Sequence, residues 1–569
     1  MKKVIFFIIT LLAIITNVST QTNVGKIFYA VKDYELAKKI FQQELSNNPG
    51  EANYYLGEIA FAEGNLEEAA HFFNQGLSTT AEPYCRIGLA KINLSKDQKS
   101  EAFATFLSLQ KKYSGDMDIM TAIGYAYLDN KLFQNLESHL KDMQKINKQD
   151  PRIYILEGDM IKVKVPDKTG DATGKYEMAL YFDSKYDLAY IKLAEIYENS
   201  SWQIAVEKLN DLIERNPNYI IAYRYLGRIY TNKGYYPKAI EAFNKFFEAK
   251  NYTLDDIAKF VQALFFSKNY DDAYIKIKEG LAIAPNHFVL NRLRMYVAAN
   301  TMNLEDGLEY AKKFFSLKGD NIALDFSMYA LLLKEAKMYD EAIEQYKRAL
   351  ELDNTTIDMY KEMGVISTLK GQNGVAADYY NIFIEKKGKS KVEILDILNM
   401  GRYYYMASTV RNANDTALIL ARFKDIDFVK KISDSELQLD SILADNNMFI
   451  QKAVNYYMNQ ADKAFDMAIE INPDSYQGHL WKARTNSLMD PDSELGLAKP
   501  HYEKIIEMLA EREDKSAAII TALAEGYRYL AFFYYQMKDF PTAIINCEKL
   551  LELVPDDNTG IQLLKFLKK

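Results

Sequence analysis

The chain repeats one sequence pattern with a period of about 34 residues, and this periodicity restricts its possible folds more than any other feature. Clear copies begin at Tyr54, Tyr223 and Tyr527, where the chain reads YYLGEIAFAEGNLEEAAHFFNQGL, YRYLGRIYTNKGYYPKAIEAFNKFF and YRYLAFFYYQMKDFPTAIINCEKLL. Each copy has a small residue after a leucine, then a polar turn, then an alanine with an aromatic residue or cysteine four positions later. A repeat of this length indicates stacked units, each a pair of helices that buries its apolar face against its neighbours.

Small residues and prolines mark the same two-helix unit along the chain. Two antiparallel helices approach closely only where a side chain is absent or is a methyl group. The first small position, taken as position 8 of the unit, holds Gly25, Gly57, Ala90, Gly124, Gly158, Ala194, Gly227, Ala330, Gly364, Gly401, Ala483 and Ala531. Proline is tolerated where a helix ends or in its first turn. Seven of the 12 prolines lie at these two phases, namely Pro49, Pro217, Pro285, Pro473, Pro555, Pro237 and Pro541.

These residues give the chain a resemblance to the tetratricopeptide repeat (TPR) family over essentially its whole length after residue 20. The resemblance implies an all-α fold, a right-handed superhelical solenoid of about 14 helix-turn-helix units with a C-terminal capping helix near residues 558–567. It also implies that the first helix of each unit lines a concave groove, with positions 5, 9 and 12 of the unit facing the groove. Most of the 42 tyrosines are interpreted as packing residues of the repeats.

The N-terminus has the pattern of a secretory signal peptide. Lys2 and Lys3 precede an apolar run from Val4 to Ile15, and polar and small residues follow up to Thr20. The run is shorter than the roughly 20 residues that a bilayer-spanning helix needs, although a retained membrane anchor is the alternative. We predict cleavage after Thr20, export to the periplasm, and a mature chain without an integral membrane span.

The predicted organisation is a signal peptide at 1–20, an N-terminal repeat array at 21–406, an insertion at 407–454, and C-terminal repeats with the capping helix at 455–569. The insertion separates the two helices of one repeat, and its segment DTALILARFKDIDFVKKI has the spacing of an amphipathic helix. Insertions in solenoids often lie on the face that is used for binding. A tolerated surface excursion explains the insertion equally well.

The composition and the motifs give no sign of catalysis or of a cofactor. Lys and Arg number 70 against 78 Asp and Glu, so the chain lacks the basic field that nucleic-acid binding requires. The two cysteines do not make a disulfide framework, and the five histidines form no metal-binding pattern. The GDATGK segment at 170–175 departs from the spacing of a phosphate-binding loop. We therefore predict no catalytic residue, no metal, no cofactor and no nucleic-acid partner.

Five arginines at groove-facing positions are the candidate partner-binding residues. They are Arg224, Arg228, Arg402, Arg484 and Arg528. A guanidinium group has the fork geometry that suits a carboxylate, whether of an acidic peptide or of a sugar acid. The alternative is that these arginines pair with carboxylates of the neighbouring repeat. The chain departs from the Lys and Asn pattern with which some TPR proteins hold a C-terminal carboxylate.

The tail around AKPHYEK at 498–504 resembles a group of exported TPR proteins of Bacteroidota envelopes, which often accompany TonB/ExbB/ExbD-type energy transducers. The resemblance implies a non-enzymatic periplasmic scaffold or adaptor that binds envelope proteins through its concave groove, with TonB-type transport or secretion as a linked process. The second hypothesis is a carbohydrate- or solute-handling module of the periplasm. Its motivation is the set of arginines beside many aromatic residues.

Overall fold

The computed structural model describes residues 23–433, 436–513 and 515–568. The predicted signal peptide at 1–20 and its cleavage site lie outside these residues. Within the described ranges the chain consists of α-helices joined by short turns, with two short 3-10 helices and no strand. The prediction of an all-α fold of paired helices is confirmed.

By its internal contacts the chain divides into two compact units, one ending at Val297 and the other beginning at Ala298, within the helix Phe288–Asn300. The helices that begin in the first unit are 23–30, Tyr34–Glu44, Pro49–Ala62, Leu66–Gly76, Glu82–Ser95, Lys99–Lys112, Met117–Asp129, Phe133–Asn147, Pro151–Lys164, Thr169–Phe182, Asp187–Ser200, Trp202–Arg215, Ile220–Asn232, Tyr236–Phe247, Leu254–Phe266, Tyr270–Ile283 and Phe288–Asn300.

The helices of the second unit follow the same alternation, interrupted once by the insertion. They are Leu304–Ser316, Ala323–Glu335, Tyr339–Leu352, Asp358–Leu369, Asn373–Lys387, Lys389–Lys391 (3-10), Ile394–Ser408, Ala413–Leu420, Ala421–Lys424 (3-10), Ile426–Ile432, Glu436–Ala444, Asn446–Ile471, Tyr476–Met489, Lys499–Leu509, Ala517–Gln536, Phe540–Leu553 and Asn558–Leu567. The last of these lies where the sequence predicts a capping helix.

The close approach of helices at the small residues has a direct explanation in the structure. The Phe73 ring is fully buried between Gly57 of its own unit and Gly88 of the next unit. A Cβ atom added at Gly57 would lie 2.5 Å from the ring, and one at Gly88 would lie 2.4 Å from it. The glycines therefore leave the space that a large buried ring fills, which is the physical basis of the repeated small position.

The turn between the two helices of a unit requires a residue with left-handed backbone geometry. Gly64 and Gly234 occupy it with φ values of 84° and 79°. Lys131, Lys337 and Lys538 occupy it in other units, with φ values of 55°, 62° and 60°. Lysine pays a conformational cost in this region that glycine does not. The tight turn is thus imposed by the packing of the two helices and not only by the local sequence.

The prolines lie where the period predicts them. Pro237 and Pro541 fall in the first turn of the helices Tyr236–Phe247 and Phe540–Leu553. Pro49 begins the helix Pro49–Ala62 immediately after the end of the preceding unit. In these positions the missing N–H is one that a helix leaves unpaired in any case.

The insertion folds as part of the second unit. It contains the helices Ala413–Leu420, Ile426–Ile432 and Glu436–Ala444, and its end forms the first turns of the 26-residue helix Asn446–Ile471. Its apolar residues share one core with the flanking repeats, including Ile419, Phe428, Val429, Ile442 and Phe449. A buried core of this kind distinguishes the insertion from a loose surface loop.

Polar contacts also fix the insertion on the repeat that precedes it. The Arg422 guanidinium donates to Asp378 of the helix Asn373–Lys387 at 2.5 Å and lies 3.7 Å from the centre of the Phe428 ring. Tyr457, three residues after the insertion, packs against the same helix. A Cβ atom added at Gly374 would lie 2.4 Å from its hydroxyl oxygen. The insertion therefore packs on the second helix of the preceding repeat, Asn373–Lys387.

Candidate functional site

In the first unit, the first helices of six successive repeats line one cavity of about 1090 Å³. Because these helices stand side by side, side chains from corresponding faces of successive repeats reach the same space. We call this space the unit-1 cavity. The helices that line it are 23–30, Pro49–Ala62, Glu82–Ser95, Met117–Asp129, Pro151–Lys164 and Asp187–Ser200.

Carboxylates that face the unit-1 cavity are neutralised by residues of neighbouring repeats. Glu58 accepts a hydrogen bond from the Tyr29 hydroxyl of the preceding repeat at 2.9 Å, and it pairs with Lys91 of the next repeat at 2.8 Å. Lys91 also pairs with Asp129 at 2.5 Å and is almost fully buried. Burial by itself would lower the pKa of Lys91, but the two carboxylates raise it, so the ammonium group stays charged.

Asp159 repeats this arrangement further along the cavity wall. Its carboxylate accepts hydrogen bonds from the hydroxyls of Tyr125 at 3.0 Å and Tyr176 at 2.6 Å, and it pairs with Lys192 at 3.1 Å. Burial by itself would raise the pKa of Asp159, but the charge of Lys192 and these hydrogen bonds hold it below the ordinary value of an aspartate. These charged groups are satisfied inside the protein and leave little net charge for a ligand.

Five tyrosine hydroxyls in the unit-1 cavity have no hydrogen-bond partner among the described residues. They belong to Tyr34, Tyr54, Tyr55, Tyr84 and Tyr186, all of them half-buried. Burial raises the pKa of Tyr84 and of Tyr186 to about 12. These phenols are therefore protonated at neutral pH, and each offers both a donor and an acceptor to a ligand.

Within the first unit, a later repeat contacts the first repeat through an ion pair. Arg224, in the helix Ile220–Asn232, pairs with Asp256 at 2.6 Å and with Asp33, which lies 191 positions earlier. The Arg224 side chain is buried and contacts the ring of Phe28 in the first helix, with 6.0 Å between guanidinium carbon and ring centre. We call Arg224, Asp33 and Asp256 the clasp, because these residues hold the first repeat beside a later one.

The structure separates the five predicted arginines into two groups, and the first group is paired. Arg224 is occupied by the clasp. Arg484 binds Glu525 through two nitrogens, at 2.9 and 2.7 Å. Arg528 pairs with Asp557, which also caps the last helix. These three arginines are engaged by carboxylates of the chain itself, as the alternative interpretation of the sequence expected.

Arg228 and Arg402 form the second group, because neither makes an ion pair within the described part of the chain. Both are half-buried, and the Nε atom of each is buried without a hydrogen-bond partner. Arg402 lies near Arg484, and both guanidinium groups lie over the Trp481 ring, at 5.2 and 4.7 Å from its centre. The partner-binding role of these arginines stays a prediction.

The tyrosines of the unit-1 cavity are functional candidates that sequence reasoning missed. Their number favours a packing role, and the periodicity does not distinguish a ring in the core from one at the groove. Tyr54 carried a usable signal, since it occupies position 5 of its unit. Tyr34 and Tyr186 lie at the N-terminal ends of helices, where the period gives no such indication.

The described residues hold no group of three or more His, Cys, Asp and Glu side chains that would suit a metal ion. The nearest histidine pair is His479 and His501, whose Nδ1 atoms lie 3.1 Å apart. Among the helices that the structure describes, none combines the length and the apolar character needed to cross a bilayer.

Comparison with known families agrees with the repeated architecture. Models described as tetratricopeptide repeat match residues 25–83 and 197–252, and a further model of the same description matches residues 326–356. The chain therefore contains tetratricopeptide repeats, and the resemblance predicted from its sequence is confirmed.

The related proteins are distant. A TPR repeat-containing protein of Methanocaldococcus jannaschii is 21% identical over 346 residues, which are 60% of this chain and 58% of that protein. The BBSome complex member BBS4 of Bos taurus is 23% identical over 204 residues, or 34% of this chain and 37% of that protein. The chain thus matches less than two thirds of the length of either relative.

Two solved structures are similar to parts of the chain. The C-terminal part of a TPR repeat-containing protein from Cytophaga hutchinsonii is 24% identical with a TM-score of 0.38, covering 54% of this chain and 99% of that one. A tetratricopeptide repeat protein from Parabacteroides merdae is 17% identical with a TM-score of 0.31, covering 44% and 98%.

Proposed function

We propose that this TPR protein is a non-enzymatic scaffold that holds an extended segment of a partner protein in the unit-1 cavity. TPR arrays present long concave surfaces, and such surfaces receive extended or helical segments of other proteins. The observation that carries the proposal is the set of five tyrosine hydroxyls without a partner among the described residues, beside the paired buried charges of Glu58, Lys91, Asp159 and Lys192.

The tyrosine hydroxyls of the cavity favour a polar segment. Tyrosine supplies a rigid contact area at low entropic cost, and its hydroxyl both donates and accepts a hydrogen bond. A peptide backbone offers N–H and C=O groups in alternation, which matches this pattern of hydroxyls. The volume of about 1090 Å³ also lies just above the roughly 300–1,000 Å³ of typical small-molecule pockets. These properties favour an extended peptide over a compact metabolite.

A site-specific cross-linking experiment tests the proposal. A photo-reactive phenylalanine analogue replaces Tyr55 inside the cavity, and Tyr181, which is 80% exposed on the same unit, is replaced as the matched control. We expect illumination in cells to link position 55, and not position 181, to one segment of one protein, identified by mass spectrometry. The proposal fails if both positions capture the same proteins, or if position 55 captures none.

We also propose that the protein is exported and acts in the cell envelope. The basic and apolar start of the chain supports export, and the resemblance to exported Bacteroidota proteins supports a periplasmic location with envelope partners, including TonB/ExbB/ExbD-type components. We expect the purified native protein to begin at Gln21 and to be released with the periplasmic fraction. An N-terminus that retains Lys2 and Lys3 on the protein in cells would contradict this part.

The second candidate function is the handling of a carbohydrate or another solute in the periplasm. The half-buried tyrosine rings and free hydroxyls of the unit-1 cavity favour it, because sugar rings stack on aromatic faces and exchange hydrogen bonds with hydroxyls. Titration with neutral and acidic oligosaccharides separates the two functions. Saccharide binding that is lost in Tyr54→Ala and Tyr84→Ala, with no captured protein at position 55, would replace the scaffold by this function.

A further inference from the structure

Arg402 is a half-buried guanidinium group that no carboxylate of the described residues balances. It lies on the helix Ile394–Ser408, and among the described residues its one hydrogen bond runs from Nη2 to Oε1 of Gln477 at 3.3 Å. Its Nε atom is buried and has no partner. Buried charged groups and buried donors are nearly always paired in folded proteins, so an unpaired one calls for an explanation.

The surroundings of Arg402 destabilise its positive charge, which a bound anion would offset. Burial, followed by the positive charge of Arg484, lowers its pKa below the ordinary value of an arginine. Glu525 balances Arg484 and not Arg402, because both of its oxygens accept from Arg484 and one also accepts from the Tyr502 hydroxyl at 2.9 Å. No group of the described chain therefore supplies the missing negative charge.

The two arginines also occupy equivalent places in the repeat. Arg402 and Arg484 both stand at position 9, one place after the small residues Gly401 and Ala483, on first helices of adjacent repeats. Both guanidinium groups lie over Trp481. A cation that stacks on an indole ring keeps its N–H groups free at the ring edge, where they can meet a planar acceptor.

We propose that Arg402, with Gln477 and Trp481 beside it, is a binding site for a carboxylate carried by a protein segment. This site belongs to the second unit and rests on the proposed scaffold function, to which it adds a requirement for acidic character in the ligand. The two Nη atoms of the guanidinium group form the fork that a carboxylate accepts through two parallel hydrogen bonds. Arg484 contributes positive charge but stays bound to Glu525.

A carboxylate on a peptide fits this place better than one on a sugar. The Trp481 indole is contacted by both guanidinium groups, by Phe465 in a stacked arrangement with 6.2 Å between ring centres, and by the edge of Tyr405 at 5.5 Å. The ring therefore has little open face on which a sugar could stack. The groove position of a TPR unit, in contrast, is reached by an extended chain.

Binding of short peptides to the purified full chain tests this inference. The probes are a hexaglutamate with both ends blocked, a hexaglutamine with a free C-terminal carboxylate, and tetragalacturonate as the acidic saccharide. We expect one of the two peptides to bind and Arg402→Gln to weaken that binding about 10- to 100-fold, the range of a hydrogen-bonded charge pair. Which peptide binds identifies the source of the carboxylate.

The control and a conservative variant make the result specific. Arg348→Gln removes an exposed arginine that pairs with Glu344 on the same unit, and we expect it to leave peptide binding within twofold of the unchanged chain. Arg402→Lys keeps the charge without the fork, so its affinity is expected to lie between those of the unchanged chain and Arg402→Gln. The thermal midpoint of Arg402→Gln is expected to equal or exceed that of the unchanged chain, because the variant removes an unbalanced charge.

Three results would overturn the inference. These are equal losses in Arg402→Gln and Arg348→Gln, binding of neither peptide at millimolar concentration, and binding of tetragalacturonate alone in an Arg402-dependent manner. Failure of the cross-linking at Tyr55 concerns a different unit and does not alter these titrations. The two proposals are therefore tested separately.

Discussion

His501 is the residue whose environment most directly links the stability of the fold to pH. Burial, and then the positive charges of Lys482 and His479, lower its pKa to about 4. A histidine in the unfolded chain has a pKa of about 6.5. The unfolded state therefore binds more protons between these values, and the stability present above pH about 6.5 is lost as the pH falls toward 4.

We expect His501→Gln to remove a large part of this loss, which amounts to about 1–2 kcal/mol after allowance for partial exposure. The measurement is the free energy of unfolding in urea at pH 7.5 and at pH 5. His71→Gln, a change at an exposed histidine, is the control and should keep the pH dependence of the unchanged chain. An unchanged dependence in His501→Gln would show that other groups cause it.

At the same scale, sequence patterns predict which arginines face the groove but not which of them lack a carboxylate partner. Arg224, Arg402 and Arg484 share a residue type and a face of the first helix. Their difference lies in carboxylates such as Asp33 and Glu525, which are remote in the sequence from the arginines they bind. The pairing of Arg224 with Asp33, 191 positions away, depends on how the repeats stack, so the local sequence pattern does not predict it.

At the scale of the helix, alanine is expected to have opposite effects on stability at two glycines, because only one of them packs against a buried ring. Gly57→Ala would place a Cβ atom 2.5 Å from the buried Phe73 ring, so we expect a loss of about 1–3 kcal/mol from overpacking. Gly174→Ala lies in the interior of the helix Thr169–Phe182 with no atom within 4 Å of the added Cβ. We expect that change to stabilise the chain by about 0.5–1 kcal/mol, because alanine favours the helix.

Chemical denaturation of the two variants beside the unchanged chain measures both effects. The prediction fails if the two substitutions shift the free energy of unfolding in the same direction. Gly174 also illustrates a limit of motif reading, since the GDATGK segment that contains it forms the start of a helix here and not a loop.

The insertion shows how far an element can be predicted from its pattern. The amphipathic spacing of DTALILARFKDIDFVKKI indicates helix, and the chain forms the helices Ala413–Leu420 and Ile426–Ile432 there. The pattern does not indicate the partner of the apolar face. Asp378 and the helix that carries it receive the insertion, and this depends on the three-dimensional neighbourhood. Whether the insertion takes part in binding stays a prediction.

At the scale of the whole molecule, the clasp sets how the first repeat is held. Asp33→Asn removes the charge that Arg224 binds but leaves Arg224 paired with Asp256, and asparagine still caps the helix Tyr34–Glu44. We expect the local opening free energy of residues 23–45 to fall by about 1.5–3 kcal/mol, the value of a hydrogen bond to a charged group.

Hydrogen exchange followed by mass spectrometry measures this opening. Peptides from 23–45 should exchange faster in Asp33→Asn, while peptides from the helix Pro151–Lys164 should not change. Asp142→Asn, which removes an exposed pair with Lys145, is the control. Uniform acceleration along the first unit would mean that Asp33 supports the whole unit and not the attachment of the first repeat.

The sequence by itself determined the repeat, the all-α fold and the last helix near residues 558–567. These follow from local rules, namely the spacing of small and aromatic residues, the turn residues and the conformational limits of proline. The tertiary structure alone decided which arginines are free, that five tyrosine hydroxyls meet in one cavity, and that Arg224 joins the first repeat to a later one. Those features depend on side chains brought together from distant repeats, and a period fixes how each unit folds without fixing which charges and hydroxyls its neighbours satisfy.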